Sequence, residues 1–204
     1  MIAVVDYGMG NLKSVANAAC AVGARVTVTS DPSCVAKADK IIFPGVGHFG
    51  RAVKELRQRK LFGVLADTIR EGTPFLGICL GMQILFEKSE EAPGAKGLGV
   101  LKGTVKRFRD KNLIVPHMGW NRVAYTPCAA QAPVCAGIED KSYFYFVHSF
   151  YCEPKEKDSI LGTTGYGVNF ASIIGQGNVW AVQFHAEKSQ SLGLRLLQNF
   201  LKLC

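Results

Sequence analysis

The 204-residue sequence lacks any apolar stretch of the roughly 18 residues that a membrane-spanning helix needs. The first apolar run, residues 2–5, has no basic segment before it and no cleavage-like sequence after it, so we expect a buried strand and not a signal peptide. Linkers, internal repeats and low-complexity segments are also missing, and 48% of the residues are hydrophobic against 20% charged. We therefore expect no membrane association and a single globular domain over residues 1–204.

The seven cysteines lack the spacing of a disulfide framework or of a zinc ribbon, because their number is odd and no C-x-x-C pair occurs. This pattern predicts a reducing, cytoplasmic location. The four histidines form neither an H-x-x-x-H motif nor a cluster with cysteine. We expect no metal site and, since no other cofactor motif is present, no cofactor.

Acidic residues are the minority of the charged residues, with 16 Asp and Glu against 24 Lys and Arg, for a net charge of +8. The densest basic stretch, residues 102–111, is accompanied by neither an aromatic ladder nor a nucleic-acid-binding motif. We expect it to be a solvated face or a docking surface for an acidic partner, and we expect no nucleic acid as a partner.

The order of short apolar runs and helical segments indicates the α/β class. Strands and helices alternate in the first half, with strands predicted at residues 2–6, 25–29, 41–43 and 74–78 and helices at 11–22, 51–70 with a break near 60–63, and 80–86. The second half is predicted to hold strands at 100–108, 121–125, 143–151, 160–164, 170–174 and 179–184, followed by a helix at 189–203. We expect an open, mixed, largely parallel sheet flanked by helices, with added antiparallel strands in the C-terminal half.

The most specific local feature is Gly77-Ile78-Cys79-Leu80-Gly81, a G-x-C-x-G sequence at a predicted strand-to-helix turn. This is the form of a nucleophile elbow, in which the turn is too tight for side chains two residues on either side of the nucleophile. The helix that follows should favour the thiolate of Cys79, and the Leu80 N–H should face a developing oxyanion. The alternative is a buried cysteine between two packing glycines.

A cysteine nucleophile needs a base and a group that orients the base. His185 follows a predicted strand, and Glu187 comes two residues later. If the strand geometry continues, both side chains lie on one face, so that the carboxylate can hold the imidazole. The other histidines, His48, His117 and His148, have no adjacent carboxylate and are expected to be structural or to contact substrate.

Pro44-Gly45-Val46-Gly47 follows a buried strand and is either a simple tight turn or part of a site. If the sheet is parallel, this loop and Cys79 emerge at the same carboxyl edge, where sites in such sheets form. Its two glycines would let backbone N–H groups turn toward that site, which would add a second oxyanion donor.

Three motifs together resemble those of the class I, or triad, glutamine amidotransferases: Gly77-Ile78-Cys79-Leu80-Gly81-Met82-Gln83, Pro44-Gly45-Val46-Gly47 and His185-Ala186-Glu187. Three further segments resemble the glutaminase subunits of imidazole glycerol phosphate synthase: Asp6-Tyr7-Gly8-Met9-Gly10-Asn11, Pro116-His117-Met118-Gly119-Trp120-Asn121 and Tyr145-Phe146-Val147-His148-Ser149. Most class I relatives carry glycine where this chain has Val46, and this departure is also similar to the histidine-pathway subunits. The resemblance covers the whole chain.

The resemblance implies thioester chemistry on glutamine. Cys79 would be the nucleophile, His185 the base and Glu187 its orienting group, with the oxyanion held by Leu80, Val46 and Gly47. The glutamine α-amino and carboxylate groups would be held in the region of the following residues: Gln83, His148, Ser149 and Phe150.

The resemblance also implies a partner. Ammonia would pass to a separate (β/α)8-barrel cyclase that makes imidazole glycerol phosphate and AICAR, because this chain is too short to contain a barrel of its own. The two subunits would form a heterodimer, with Asn11, Trp120 and Lys188 as candidate interface positions because they lie near the site motifs in sequence. The isolated subunit would be a weak glutaminase if docking sets the oxyanion loop.

Several alternatives remain open at this stage. A glutaminase subunit that serves a chorismate- or nucleotide-using synthase would have the same chemistry, and a cysteine peptidase or γ-glutamyl hydrolase would act alone at full rate. A non-catalytic binding module would have no use for a complete nucleophile, base and carboxylate. A nucleic-acid binder is suggested only by the charge, and its binding would have to survive moderate salt.

Overall fold

A computed structural model describes residues 1–204, and its framework is a 12-stranded sheet. The strands are β1 Ile2–Val5, β2 Val26–Thr29, β3 Lys40–Gly45, β4 Phe75–Cys79, β5 Phe86–Ser89, β6 Leu101–Arg107, β7 His117–Tyr125, β8 Ser142–His148, β9 Phe150–Pro154, β10 Ile160–Tyr166, β11 Val168–Gln176 and β12 Val179–Val182. The helices are α1 Leu12–Ala21, α2 Pro32–Ala36, α3 Phe49–Gln58, α4 Leu61–Arg70, α5 Leu80–Gln83 and α6 Gln190–Leu203. None of these helices is long and apolar enough to cross a membrane.

The N-terminal half of the chain builds a parallel sheet in the order β2-β1-β3-β4, and β12 joins it in parallel beside β4. Successive side chains of these strands enter two different core layers, since Phe43 and Phe75 lie in one and Ile42 and Leu76 in the other. Strands that are apolar on both faces require cover on both sides, which the helices provide. The sheet therefore presents one common carboxyl edge.

The rest of the sheet is mostly antiparallel. It continues from β12 through β11, β10, β7 and β8, with a side branch of β9, β6 and β5 that joins at β11. The predicted fold class, a mixed sheet flanked by helices with antiparallel strands added by the C-terminal half, is confirmed, although only five of the eleven strand pairings are parallel. β12 is the strand that connects the two parts.

Some predicted boundaries are wrong in informative ways. The helix predicted for residues 80–86 is the single turn α5, because Phe86 begins β5 and pairs with β6. The strand predicted for residues 143–151 divides at Ser149 into β8 and β9, which pair with different neighbours. The short helix α2, which Asp31 caps by accepting from the Ser33 N–H at 2.8 Å, was not predicted.

The basic stretch at residues 102–111 is largely paired within the chain. Three of its cations contact carboxylates of neighbouring strands and turns: Lys102 with Glu87, Lys106 with Glu153, and Arg109 with Glu90. Exposed pairs of this kind contribute little to stability. They do neutralise much of the local positive charge, as expected of a solvated face.

Candidate active site

Cys79 lies at a sharp turn between β4 and α5, with φ of +56° and ψ of −107°. A residue with a side chain is strained in this region of backbone space, and such strain concentrates at functional sites. A Cβ atom added at Gly77 would lie 2.6 Å from the Gly81 carbonyl oxygen, and one added at Gly81 would overlap the Phe43 carbonyl oxygen. The two glycines are therefore needed for the turn, as the elbow interpretation predicts.

The loop after β3 runs beside this turn, because Gly45 is the register partner of Cys79. Gly45 has no room for a side chain, because a Cβ there would lie 2.7 Å from the Tyr7 hydroxyl and 2.8 Å from the Leu80 Cβ. Val46 is exposed, and Gly47 has φ of +100°. The predicted common position of this loop and the cysteine at the carboxyl edge of the sheet is confirmed.

His185 reaches the same edge because β12 pairs in parallel with β4, with Val182 opposite Ile78. Its Nδ1 lies 2.8 Å from Oε1 of Glu187, and both side chains are about 2% exposed. The expected reason for this contact is wrong: β12 ends at Val182, and Ala186–Lys188 form a 3-10 turn. The turn, and not a continuing strand, folds the carboxylate back onto the imidazole.

Ser189 fixes the backbone of this turn. Its hydroxyl donates to the His185 carbonyl at 2.7 Å and accepts from the Tyr145 N–H at 3.0 Å. The His185 N–H in turn donates to the Tyr145 carbonyl at 2.9 Å. His185 is thereby tied to β8 as well as to the end of β12.

The charge state of His185 is set by opposing influences. Burial disfavours the imidazolium, but negative charge on the nearby Cys79 sulfur and the hydrogen bond to Glu187 together raise the pKa of His185 to about 10. Its Nε2 is buried and has no hydrogen-bond partner in the structure. A protonated imidazole with one free N–H beside a buried sulfur can exchange a proton with the sulfur or with a leaving group.

A cavity of about 290 Å³ opens over Cys79. Its lining includes the following predicted oxyanion and substrate-binding residues: Val46, Gly47, Leu80, Gln83, His148, Ser149 and Phe150. The cavity is close to the lower end of the size range of small-molecule sites. The structure thus brings all of these residues together around the sulfur.

Two of these side chains are hydrogen-bonded within the protein. The Gln83 amide donates to the Phe150 carbonyl at 3.2 Å and to Oε1 of Gln183 at 3.2 Å. The His148 ring contacts the Phe150 carbonyl through Nδ1 at 2.8 Å and His117 through Nε2 at 3.0 Å. The imidazole of His148 therefore has no free nitrogen for a ligand.

Sequence analysis missed two residues of this site. Glu91 also lines the cavity, and its carboxylate accepts a hydrogen bond from the Phe49 N–H at 2.6 Å. Gln183, fully buried, donates from Nε2 to the Cys79 sulfur at 3.6 Å. Glu91 lies in an unremarkable acidic stretch, whereas the position of Gln183 two residues before His185 was an available signal.

The three candidate interface residues differ in their surroundings. Asn11 caps α1 by accepting from the Ser14 N–H, while Trp120 is 46% exposed on β7. Lys188 is exposed, with Nζ 5.9 Å from the centre of the Tyr145 ring. Met118 and Tyr143, also exposed on the β7–β8 pair, extend the apolar surface around Trp120.

Residues 3–204 match the family glutamine amidotransferase class-I. The chain is 47% identical to imidazole glycerol phosphate synthase subunit HisH 1 of Methanococcus maripaludis and 50% identical to subunit HisH of Thermococcus kodakarensis, each over the full length of both proteins. Among solved structures it resembles a crystal structure of glutamine amidotransferase, with a TM-score of 0.77 and 18% identity over 99% of this chain and 98% of that one. It also resembles PurLQS from Thermotoga maritima, with a TM-score of 0.76 and 19% identity over 98% and 96%.

Proposed function

The chain belongs to the class-I glutamine amidotransferase family and, within it, to the HisH subunits of imidazole glycerol phosphate synthase, and on this premise we propose that it hydrolyses glutamine to supply ammonia to a synthase partner. The observation that carries the proposal is the meeting of Cys79 and the His185–Glu187 pair at one sheet edge, below a cavity of about 290 Å³.

The reaction passes through a thioester. The Cys79 sulfur, after loss of its proton to His185, adds to the carboxamide carbon of glutamine, and the C–N bond breaks as His185 protonates the departing NH2 group, which leaves as ammonia. Water, deprotonated by His185, then adds to the γ-glutamyl thioester, and the C–S bond breaks to give glutamate and the free thiol. The 2.8 Å contact between Glu187 and His185 Nδ1 supports an orienting role for the carboxylate.

Negative charge on the carbonyl oxygen is held by backbone groups in this proposal. The donors are the Leu80 N–H, at the start of α5, and N–H groups of Val46 and Gly47. The positive φ of Gly47 supports this role for the loop, because glycine allows the peptide to reorient at little cost.

The glutamine main-chain groups would bind at the outer part of the cavity. The Glu91 carboxylate supplies a negative charge for the α-ammonium group. Backbone groups of Ser149 and Phe150, with the remaining capacity of Gln83, would hold the α-carboxylate and the carboxamide. His148 would act through its backbone and not its ring.

The partner we propose is a separate (β/α)8-barrel cyclase that forms a heterodimer with this chain and uses the ammonia to make imidazole glycerol phosphate and AICAR in histidine biosynthesis. The names of the relatives, which describe them as synthase subunits, support a partner. The exposed Trp120 and Lys188, near His185 in the fold, support docking of that partner over the site, with Asn11 as a further contact. Ammonia would then be released into a covered space.

We also propose that residues 1–204 act as one domain in the reducing cytoplasm. Both core layers share the same sheet, which supports a single folding unit. All seven cysteines are free thiols in the structure, in accord with a reducing compartment.

Glutamate release from glutamine tests this function, measured for the purified chain with and without the barrel cyclase and its nucleotide ligand. We expect strong stimulation by the liganded cyclase and loss of activity in Cys79→Ala, with Cys20→Ala, at an exposed cysteine, as the matched control. Synthesis from free ammonium should survive in Cys79→Ala. Glutamate release that is the same with and without the cyclase would favour another synthase or independent hydrolysis. Activity retained by Cys79→Ala would overturn the assignment.

A further inference from the structure

A buried amide that does not line the cavity contacts the reactive sulfur. Gln183 follows β12 directly, is fully buried, and continues the strand pairing by donating its N–H to the Ser172 carbonyl at 3.0 Å. Its side-chain Nε2 lies 3.6 Å from Sγ of Cys79. Its Oε1 accepts from Gln83 at 3.2 Å.

The direction of these hydrogen bonds is fixed by a backbone group. The Phe150 carbonyl can only accept, so Gln83 must turn its NH2 group toward it, at 3.2 Å. The second hydrogen of the same NH2 group then points at Gln183, which must present its oxygen. The NH2 group of Gln183 is therefore left facing Cys79.

The same carbonyl accepts from His148 Nδ1 at 2.8 Å, so both of its lone pairs are used. His148 in turn contacts His117 at 3.0 Å, and His117 contacts Asn121 at 3.1 Å. With the Nδ1 hydrogen of His148 on Phe150, its Nε2 accepts from His117. A continuous set of neutral hydrogen bonds thus holds the orientation of the Gln183 amide.

We propose that Gln183 is a further catalytic residue, whose amide N–H donates to the Cys79 sulfur and stabilises its thiolate form. The proposal rests on the proposed function, in which Cys79 is the nucleophile. An N–H donor strengthens when its acceptor becomes an anion, because the hydrogen bond is then charge-assisted. The thiol form has a different partner, the Val147 carbonyl at 3.9 Å, which can accept only while the sulfur carries its proton.

Of the ionisable groups around the sulfur, only His185 also stabilises the thiolate, and it does so as the group that exchanges the proton. The Tyr7 hydroxyl and the Cys152 thiol are buried neutral groups whose pKa values are raised by burial and by the charge of Cys79. Neither has the fixed donor direction that the amide has. Gln183 supplies a donor that requires no ionisation at any working pH.

The test is the pH dependence of alkylation of Cys79 by iodoacetamide, followed on the Cys79 peptide by mass spectrometry. Gln183→Met removes the donor at similar volume, and Gln183→Glu keeps the oxygen toward Gln83 while replacing the donor by an acid. Gln176→Met is the matched control, because Gln176 is exposed at the end of β11. Thermal unfolding checks that each variant folds.

We expect Gln183→Met to raise the midpoint of alkylation and to slow it about 10-fold near neutral pH, as loss of one charge-assisted hydrogen bond implies. Gln183→Glu should raise the midpoint further, since a carboxylate repels the thiolate. In the cyclase complex, kcat for glutamine should fall about as much as alkylation, with KM changed less than about twofold. Gln176→Met should match the parent chain.

An unchanged alkylation midpoint in a folded Gln183→Met or Gln183→Glu variant would overturn the inference. Alkylation by iodoacetamide measures the reactivity of the Cys79 sulfur without glutamine, so this result stands whether or not the chain is a glutaminase. Failure of the proposed function would appear separately, as glutaminase activity retained by Cys79→Ala.

Discussion

The buried pair of histidines His117 and His148, the second of which lines the cavity, predicts that acid destabilises this protein well before its carboxylates are protonated. His117 and His148 are 4% and 6% exposed and contact each other at 3.0 Å. Burial lowers the pKa of His117 to about 4, and burial together with the charges of His117 and His185 lowers the pKa of His148 to about 3. Both rings are therefore neutral in the folded protein at neutral pH.

The sign of the effect follows from proton uptake. The unfolded chain binds a proton at each histidine near pH 6.5, whereas the folded chain does so only near pH 4 and pH 3. Stability is therefore full above about pH 6.5 and is lost as the pH falls toward the folded-state values. Each histidine contributes up to about 1.4 kcal/mol per pH unit, so the pair should remove about 2 kcal/mol between about pH 6 and about pH 5.

Other shifted groups lie outside this window. The pKa of His185 is raised to about 10, so its contribution is complete below about pH 6.5 and is lost only as the pH rises through about 10. Glu87 and Glu90 have lowered pKa values because backbone N–H groups donate to them, and their contributions are lost only below their ordinary values. The slope between about pH 6 and about pH 5 is therefore dominated by the buried pair.

Urea unfolding at several pH values in this window measures the slope. His148→Asn removes one titrating ring and keeps an N–H donor for the Phe150 carbonyl, so it should reduce the loss of unfolding free energy by about 1 kcal/mol over that pH unit. His48→Asn is the control, since His48 is an exposed N-cap of α3 and asparagine caps helices well. Equal slopes in the parent chain and in His148→Asn would refute the reasoning.

Three shorter predictions concern the site and its surroundings. Glu187→Gln removes the charge beside the His185 imidazole, and cyclase-stimulated kcat should fall by about 10²–10⁴-fold if Glu187 orients the proposed base. A loss below about tenfold would contradict the orienting role. Gly81→Ala forces a Cβ onto the Phe43 carbonyl, and Tm should fall by roughly 6–12 °C. The control Gly63→Ala, in open space within α4, should leave Tm equal or higher. Similar Tm values for the two variants would count against the elbow packing. Lys188→Glu should weaken cyclase binding about 10-fold in titrations; unaltered affinity would remove Lys188 from the interface.

The sequence predicts the parallel part of the sheet well because its strands are short, apolar and separated by clear helices. It fails at residues 80–86, where Ile84, Leu85 and Phe86 are fully buried and their pattern suits a helix as well as a strand. Tertiary contacts decide between helix and strand there, since Phe86 pairs with Leu101 of β6. The division at Ser149 has a similar cause, because the neighbouring strands decide where β8 ends.

The positions of Cys79, of the His185–Glu187 pair and of the loop after β3 were predictable because each depends on a local motif. The contact between His185 and Glu187 was predicted from a continuing strand, but the structure has a 3-10 turn there. A spacing of two residues brings the side chains together in either geometry. Glu91 could not be found from spacing, and the only signal for Gln183 was its position two residues before His185. Their roles depend on which surfaces the strands and loops bring to the sulfur and to the cavity.

The position of β12 also determines when, during folding, Cys79 and His185 can come together. This strand pairs with β4 on one side and β11 on the other, although it follows all of the other strands in sequence. Until it inserts, two apolar sheet edges stay open, and such edges favour intermolecular pairing. During synthesis, a nascent chain that ends before Val179 would thus hold β4, the strand that carries Cys79, at an open edge. It would lack His185 and be prone to aggregate. Late insertion of one central strand closes the sheet and joins cysteine to histidine in the same step.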